Sequence, residues 1–115
     1  MSEDPVATNP SLYRVVMENE RVRVLEYRDR PGDRTAPHGH PDSVMITLSS
    51  FRRRLTRGDR SMDVELGEGE VRWLDAQDHV GENIGETETR SIFVELKEPS
   101  AERPDGAPSL GPSSA

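Results

Sequence analysis

The chain has 115 residues, of which 31% are hydrophobic and 32% are charged, and its formal net charge is −7 at pH 7. This length is typical of one domain with one modest core, and the acidic balance argues against nucleic-acid binding, which needs clustered Lys and Arg. The chain has no cysteine, no signal-peptide pattern and no run near the ~20 apolar residues of a membrane span. We therefore expect a cytoplasmic protein that binds neither nucleic acid nor a membrane.

Three regions follow one another along the chain. Residues 1–11 are predicted to form an extended N-terminal arm, because the dipeptides DP and NP oppose helix. Residues 12–98 carry the strands of the predicted barrel. Residues 99–115, PSAERPDGAPSLGPSSA, contain one large apolar residue, Leu110, and are predicted to form a flexible tail because they bury too little to offset their ordering entropy.

The segments between residues 12 and 98 are short, rich in β-branched residues and separated by turn signals. RVRVLEY, VMITL, DVEL, VRWL and SIFVEL read as strands, and the last places Ile92, Val94 and Leu96 on one side. The basic segment FRRRL alternates Phe51, Arg53 and Leu55 with Arg52 and Arg54. About eight such strands predict an all-β jelly-roll barrel or another small sandwich. An immunoglobulin-like sandwich is the competing interpretation, although its cysteine landmarks are missing.

The chain has three histidines, and two of them lie two positions apart. His38 and His40 therefore project from one face if their segment is a strand, between Pro37 and Pro41. Such a pair can supply two nitrogen ligands to one metal ion, and His79 is the candidate for a third. A surface or turn feature is the simpler interpretation of an isolated H-x-H. Three imidazoles suit Zn, Fe, Ni, Mn or Cu, so we expect one divalent transition-metal ion whose identity the ligand types leave open.

The surroundings of these histidines resemble the two motifs of the cupin superfamily. Gly32, five residues and the H-x-H at 38–40 match the first motif, and Gly69, His79 and Asn83 match the second more loosely. HPDSVMITLSSFRRRL, GEVRWLDAQDHVGENIG and IFVELKEP also resemble the small single-domain cupins called β-alanine degradation protein B or cytoplasmic protein. The resemblance implies a double-stranded β-helix with a metal centre, and iron-dependent dioxygenase chemistry in some members.

The glutamate that the first cupin motif places after its histidines has no counterpart in this sequence. Residues 42–45 are Asp, Ser, Val and Met, and the turn at Pro41 makes Asp42 a poor substitute. Asn83 and Gln77 are candidates for hydrogen bonds to a ligand or to the far nitrogen of an imidazole, with turn capping as an equal alternative for Asn83. Ser43 and Met45 line the pocket if that side of their strand faces inward.

The function predicted from these features is that of a small metalloenzyme acting on a small polar metabolite, in amino-acid or β-alanine catabolism for example. A zinc ion would support hydrolase or lyase chemistry, and an iron ion a dioxygenase. The alternative is a non-catalytic, metal-dependent small-molecule binder or sensor. Tyr27 and Arg72 could bind a carboxylate, or could lie on a solvated strand face. We also expect a homodimer, because sheet edges and the FRRRL strand offer pairing surfaces.

Overall fold

The strands of this chain form two antiparallel sheets. The computed structural model describes residues 4–98 and 110–113, and its elements in chain order are α1 Pro5–Thr8, β1 Tyr13–Glu18, β2 Val22–Asp29, β3 His38–His40, β4 Ser43–Thr47, β5 Phe51–Arg57, β6 Arg60–Leu66, β7 Val71–Leu74, β8 Gln77–Asn83, β9 Thr89–Leu96 and β10 Pro112–Ser113. One sheet has the order β1-β2-β9-β4-β7-β10 and the other β3-β8-β5-β6. The all-β prediction is confirmed. Within the described ranges, no helix has the length and apolar character to cross a membrane.

A single helical turn, α1, lies where the sequence predicted an extended arm. The carboxylate of Asp4 accepts hydrogen bonds from the backbone amides of Val6 and Ala7, and Pro5 occupies the first turn. Proline is tolerated there because its missing N–H would have no partner inside the helix anyway. The Asp-Pro pair therefore starts a helix in this chain.

The polar side of β9 faces the interior of the barrel. Ser91, Phe93 and Glu95 are buried, whereas Ile92 and Val94 are half-buried on the outer face. The interior combines polar side chains with one apolar cluster, made of Tyr13, Leu25, Tyr27, Met45, Leu74 and Phe93. Buried polar groups cost free energy unless they are hydrogen-bonded, so the polar side chains of this interior need hydrogen-bond partners.

The basic strand β5 lies in the middle of its sheet. Arg53 is buried with Phe51 and Leu55, whereas Arg52 and Arg54 are exposed, so the two sets lie on opposite faces, as the alternation predicted. Since β5 pairs with β6 on one side and β8 on the other, it offers no free edge for a partner. A homodimer formed by strand pairing would therefore need another strand.

The last described residues pack onto the barrel. Pro112 and Ser113 pair with Leu74 and Trp73 of β7, and Leu110 is only 9% exposed. This part of the predicted flexible tail is ordered because its one large apolar side chain finds a place at the edge of the sheet. The rest of that tail, residues 99–109 and 114–115, lies outside the described residues.

Candidate metal centre

Pairing between β3 and β8 brings the three histidines together. His38 is the direct cross-strand partner of His79, and His40 lies on the same face as His38. All three are buried, and one ring nitrogen of each lies within 4.8 Å of the corresponding nitrogens of the other two. The Nε2 atoms of His38 and His40 are 3.0 Å apart.

Each imidazole is held by an oxygen at its Nδ1 atom. The Nδ1 atom of His38 lies 2.9 Å from the carbonyl oxygen of Ala36, and that of His79 lies 3.0 Å from Oε1 of Gln77. His40 has Oε2 of Glu95 at 3.3 Å. Because a carbonyl, an amide oxygen and a carboxylate all accept hydrogen bonds, the Nδ1 atoms carry the protons. The Nε2 atoms are then left with their lone pairs.

The protein environment keeps these imidazoles neutral. Burial lowers the pKa of His40 to about 3, with a further contribution from neighbouring His38. Burial, followed by the other two histidines, places the pKa of His79 well below its usual value. The pKa of His38 is also lowered by burial, although its hydrogen bond to Ala36 opposes the shift. Neutral imidazoles are the form that binds a metal ion.

Tyr13 supplies a fourth polar group that sequence reasoning missed. Its hydroxyl lies 3.2 Å from Nε2 of His38 and 3.3 Å from Nε2 of His40. Burial raises its pKa well above the usual value, so the phenol is neutral and can donate its one proton to only one of these nitrogens at a time. The sequence signal is weak, because Tyr13 belongs to no motif and reaches the site only through the pairing of β1 with Tyr27 of β2.

A chain of charged groups connects the centre to the N-terminal helix. Glu95 is 2% exposed and accepts a hydrogen bond from Nε of Arg23 at 2.9 Å. Arg23 in turn lies 2.5 Å from Oδ1 of Asp4, the residue that caps α1. Burial raises the pKa of Glu95, and the guanidinium of Arg23 opposes that shift. The Glu95 carboxylate that orients His40 is therefore itself held by Arg23, which in turn is paired with Asp4.

The residues predicted around the site have different positions. Gln77 contacts His79, and Met45 lines the interior cavity. Ser43 is fully buried, and its hydroxyl has no hydrogen-bond partner in the described residues.

Asn83 caps a turn. Its side-chain oxygen accepts a hydrogen bond from the backbone amide of Gly85 at 3.0 Å, and its side-chain amide donates to the carbonyl oxygen of Thr87 at 2.8 Å and to Oδ1 of Asp29 at 3.0 Å. These hydrogen bonds fit the turn-capping alternative for Asn83.

The two groups considered for binding a carboxylate also differ. Tyr27 is buried, and its hydroxyl donates to Asp29 at 2.5 Å, so the solvated-face alternative is wrong for this residue. Arg72 is partly exposed and pairs with Glu70. An interior cavity of about 50 Å³ lies beside the histidines, and its lining includes Tyr13, Tyr27, His38, His79 and Arg53.

Comparison with solved structures finds proteins of similar fold. A cupin domain from Bordetella pertussis Tohama I is 28% identical, with 76% of this chain and 93% of that chain covered and a TM-score of 0.70. An RmlC-like cupin family protein with a double-stranded β-helix fold from Methanocaldococcus jannaschii is 15% identical, with 74% and 78% covered and a TM-score of 0.60. The polyketide cyclase RemF from Streptomyces resistomycificus is 21% identical, with 75% and 64% covered and a TM-score of 0.58. The last two show the fold alone. No protein-family model and no curated protein matches the chain.

Metal-free protein is expected to lose stability as the pH falls from 7 to 5. An unfolded histidine takes up a proton near pH 6.5, whereas folded His40 does so only at about 3, so the unfolded state binds more protons in this range. His40 alone should lower the free energy of unfolding by about 2 kcal/mol between these two pH values. Urea unfolding in the presence of a chelator measures the change, with His40→Gln as the comparison. Equal pH dependence in the two proteins would contradict the assignment.

Proposed function

We propose that this chain, a small single-domain cupin, binds one divalent transition-metal ion through His38, His40 and His79 and acts on a small polar molecule beside it. The supporting observation is the convergence of three ring nitrogens whose opposite nitrogens are engaged by oxygens. A carboxylate ligand is not required in addition to these histidines, because a three-histidine site is a known arrangement for catalytic metal ions.

The separation between two of the three donors fits a metal ion. Two imidazole nitrogens bound to one ion at about 2.1 Å each lie about 3.0 Å apart when their bonds meet at a right angle. The Nε2 atoms of His38 and His40 have this separation. Without a proton or a cation between them, two lone pairs at this distance repel each other. The hydroxyl of Tyr13 has one proton, which it can donate to Nε2 of either His38 or His40. The other nitrogen then keeps a lone pair without a proton or a cation.

The metal ion would supply Lewis acidity or redox chemistry, according to whether zinc or a redox-active metal such as iron is bound. This chain's own residues orient the imidazoles, through Ala36, Glu95 and Gln77, and enclose the reacting molecule. The cavity of about 50 Å³ limits that molecule to a small metabolite. We propose an enzyme of small-molecule metabolism, with the hydrolase or lyase reactions of zinc and the dioxygenase reactions of iron as its reaction classes.

Metal content tests this proposal directly. Protein prepared without a histidine tag and dialysed against zinc is expected to retain one ion per chain by elemental analysis, because three neutral nitrogens converge. Either His38→Asn or His79→Asn should reduce retention to well below half an ion per chain. Asp78→Asn is the matched control, because Asp78 lies beside His79 but is exposed on the opposite face of β8.

Circular dichroism would establish that the histidine variants keep the barrel fold. Folded wild-type protein that retains no zinc, iron, nickel, manganese or copper after dialysis would overturn the proposal. Retention of a full ion by both histidine variants would overturn the assignment of the ligands. Turnover of a small metabolite by the loaded protein, as opposed to binding alone, separates an enzyme from a sensor.

We also propose that the chain forms a homodimer through the outer face of its six-stranded sheet. Val24, Val94, Val44 and Trp73 are consecutive cross-strand neighbours on β2, β9, β4 and β7, and a second row contains Ile92, Ile46 and Val71. Val71 is 63% exposed, and the other members are half-buried. A contiguous apolar face of this kind is typical of protein interfaces.

Light scattering on gel-filtered protein tests the dimer. The wild type is expected to have twice the mass of the chain, and Val71→Lys to have the mass of one chain, because a lysine would place a charge inside the interface. Met62→Lys is the control, since Met62 is 41% exposed on β6 of the other sheet. A monomeric wild type, or a Val71→Lys protein that remains dimeric, would contradict this interface.

A further inference from the structure

We infer that the interior cavity binds a small carboxylate, whose negative group lies against Arg53 and Ser91 while the rest of the molecule faces the histidines. The inference rests on the proposed function, because it names the class of molecule that would lie beside the same three imidazoles. Four observations support it: the size of the cavity, the position of Arg53, the hydroxyl of Ser91 and the balance of charge.

The cavity connects the histidines to a polar wall. Its lining includes His38 and His79, and also Arg53, Thr89 and Ser91. A volume of about 50 Å³ has room for roughly three to five water-sized groups, if each needs about 10–15 Å³. A carboxylic acid with two or three carbon atoms is of this size.

Arg53 is fixed in place before any ligand arrives. Its side chain is buried, and its guanidinium donates to Asp29, to Thr89 Oγ1 at 3.2 Å and to the hydroxyl of Tyr27 at 3.1 Å. These contacts use three of the five N–H groups of a guanidinium. A Cβ atom at position 81 would lie 2.6 Å from Nη2 of Arg53, so Gly81 leaves the space that this side chain occupies.

Ser91 carries a polar group that has no partner in the described residues. Its side chain is 1% exposed and lines the cavity, yet its hydroxyl makes no hydrogen bond. An unsatisfied buried hydroxyl is costly, so its presence needs an explanation. In the strand register Ser91 faces Tyr27, whose hydroxyl is bonded to Arg53. A ligand oxygen held by Arg53 would give this hydroxyl the partner that it lacks.

The charges around the cavity favour an anion. Among the described residues that line the cavity, Arg53 is the one Asp, Glu, Lys or Arg. Asp29 balances Arg53 from outside the cavity lining. A bound metal dication on three neutral ligands would add two positive charges. A carboxylate offsets this excess and can accept charge-assisted hydrogen bonds from a guanidinium, whereas a neutral amide cannot offset it.

Propionate is a suitable probe, with propionamide as its neutral counterpart. Calorimetric titration of zinc-loaded protein is expected to show propionate binding at least about tenfold more tightly than propionamide, the difference expected for charge-assisted hydrogen bonds. Arg53→Lys should weaken propionate binding about tenfold, because an ammonium lacks the guanidinium fork. Equal affinities for propionate and propionamide would overturn the inference.

Two buried serines give a matched pair of variants. Ser91→Ala should weaken propionate binding about fivefold, the loss expected for one hydrogen bond, and should raise the thermal midpoint because an unsatisfied hydroxyl is removed. Ser43→Ala should raise the midpoint in the same way and leave propionate affinity unchanged, because the Ser43 hydroxyl is also unpartnered but Ser43 does not line this cavity. Equal propionate affinities in the two variants would overturn the role of Ser91.

The zinc content of the same samples separates this inference from the proposed function. One zinc ion per chain without propionate binding would overturn the carboxylate site and leave the metal centre standing. Propionate binding that depends on Ser91 in protein that cannot hold any metal would support the carboxylate site and overturn the metal centre.

Discussion

The register in which β3 pairs with β8 is the constraint on which the site depends. It sets His38 opposite His79 and His40 opposite Gln77, so that the residue facing one histidine orients another. A slip of one residue would turn His79 to the outside of the barrel, because successive side chains of a strand point to opposite faces. Two further hydrogen bonds, from His38 to Ala36 and from His40 to Glu95, fix the orientation of the other two imidazoles.

Strand β9 departs from the usual distribution, in which apolar side chains are buried and polar side chains face outward. Sequence alternation predicted the strands and the two faces of β5 and β9, but it did not predict which face of β9 is buried. The buried face carries Ser91 and Glu95, and the half-buried outer face carries Ile92 and Val94. Hydrophobic patterning fails here because the interior contains the site, and a site needs polar groups whose burial is costly.

Other parts of the site were beyond the reach of sequence patterns because they depend on strand order. The histidine cluster could be predicted from spacing and from resemblance to cupin motifs. Tyr13 and Glu95 could not, since they lie 25 positions before His38 and 55 positions after His40 and meet these residues only in the folded barrel. The alternation in FRRRL placed Arg53 on the same face as Phe51 and Leu55, but it did not predict the contacts of Arg53 with Asp29 and Tyr27.

Three imidazoles converge on one point, and the number of rings bound to an added metal ion tests this convergence most directly. X-ray absorption at the zinc edge, on protein loaded with one equivalent of zinc, counts the imidazole rings bound to the ion by their outer-shell scattering. We expect three rings, with nitrogen at about 2.0–2.1 Å from the zinc ion. A spectrum that requires only one ring, or none, would contradict this expectation.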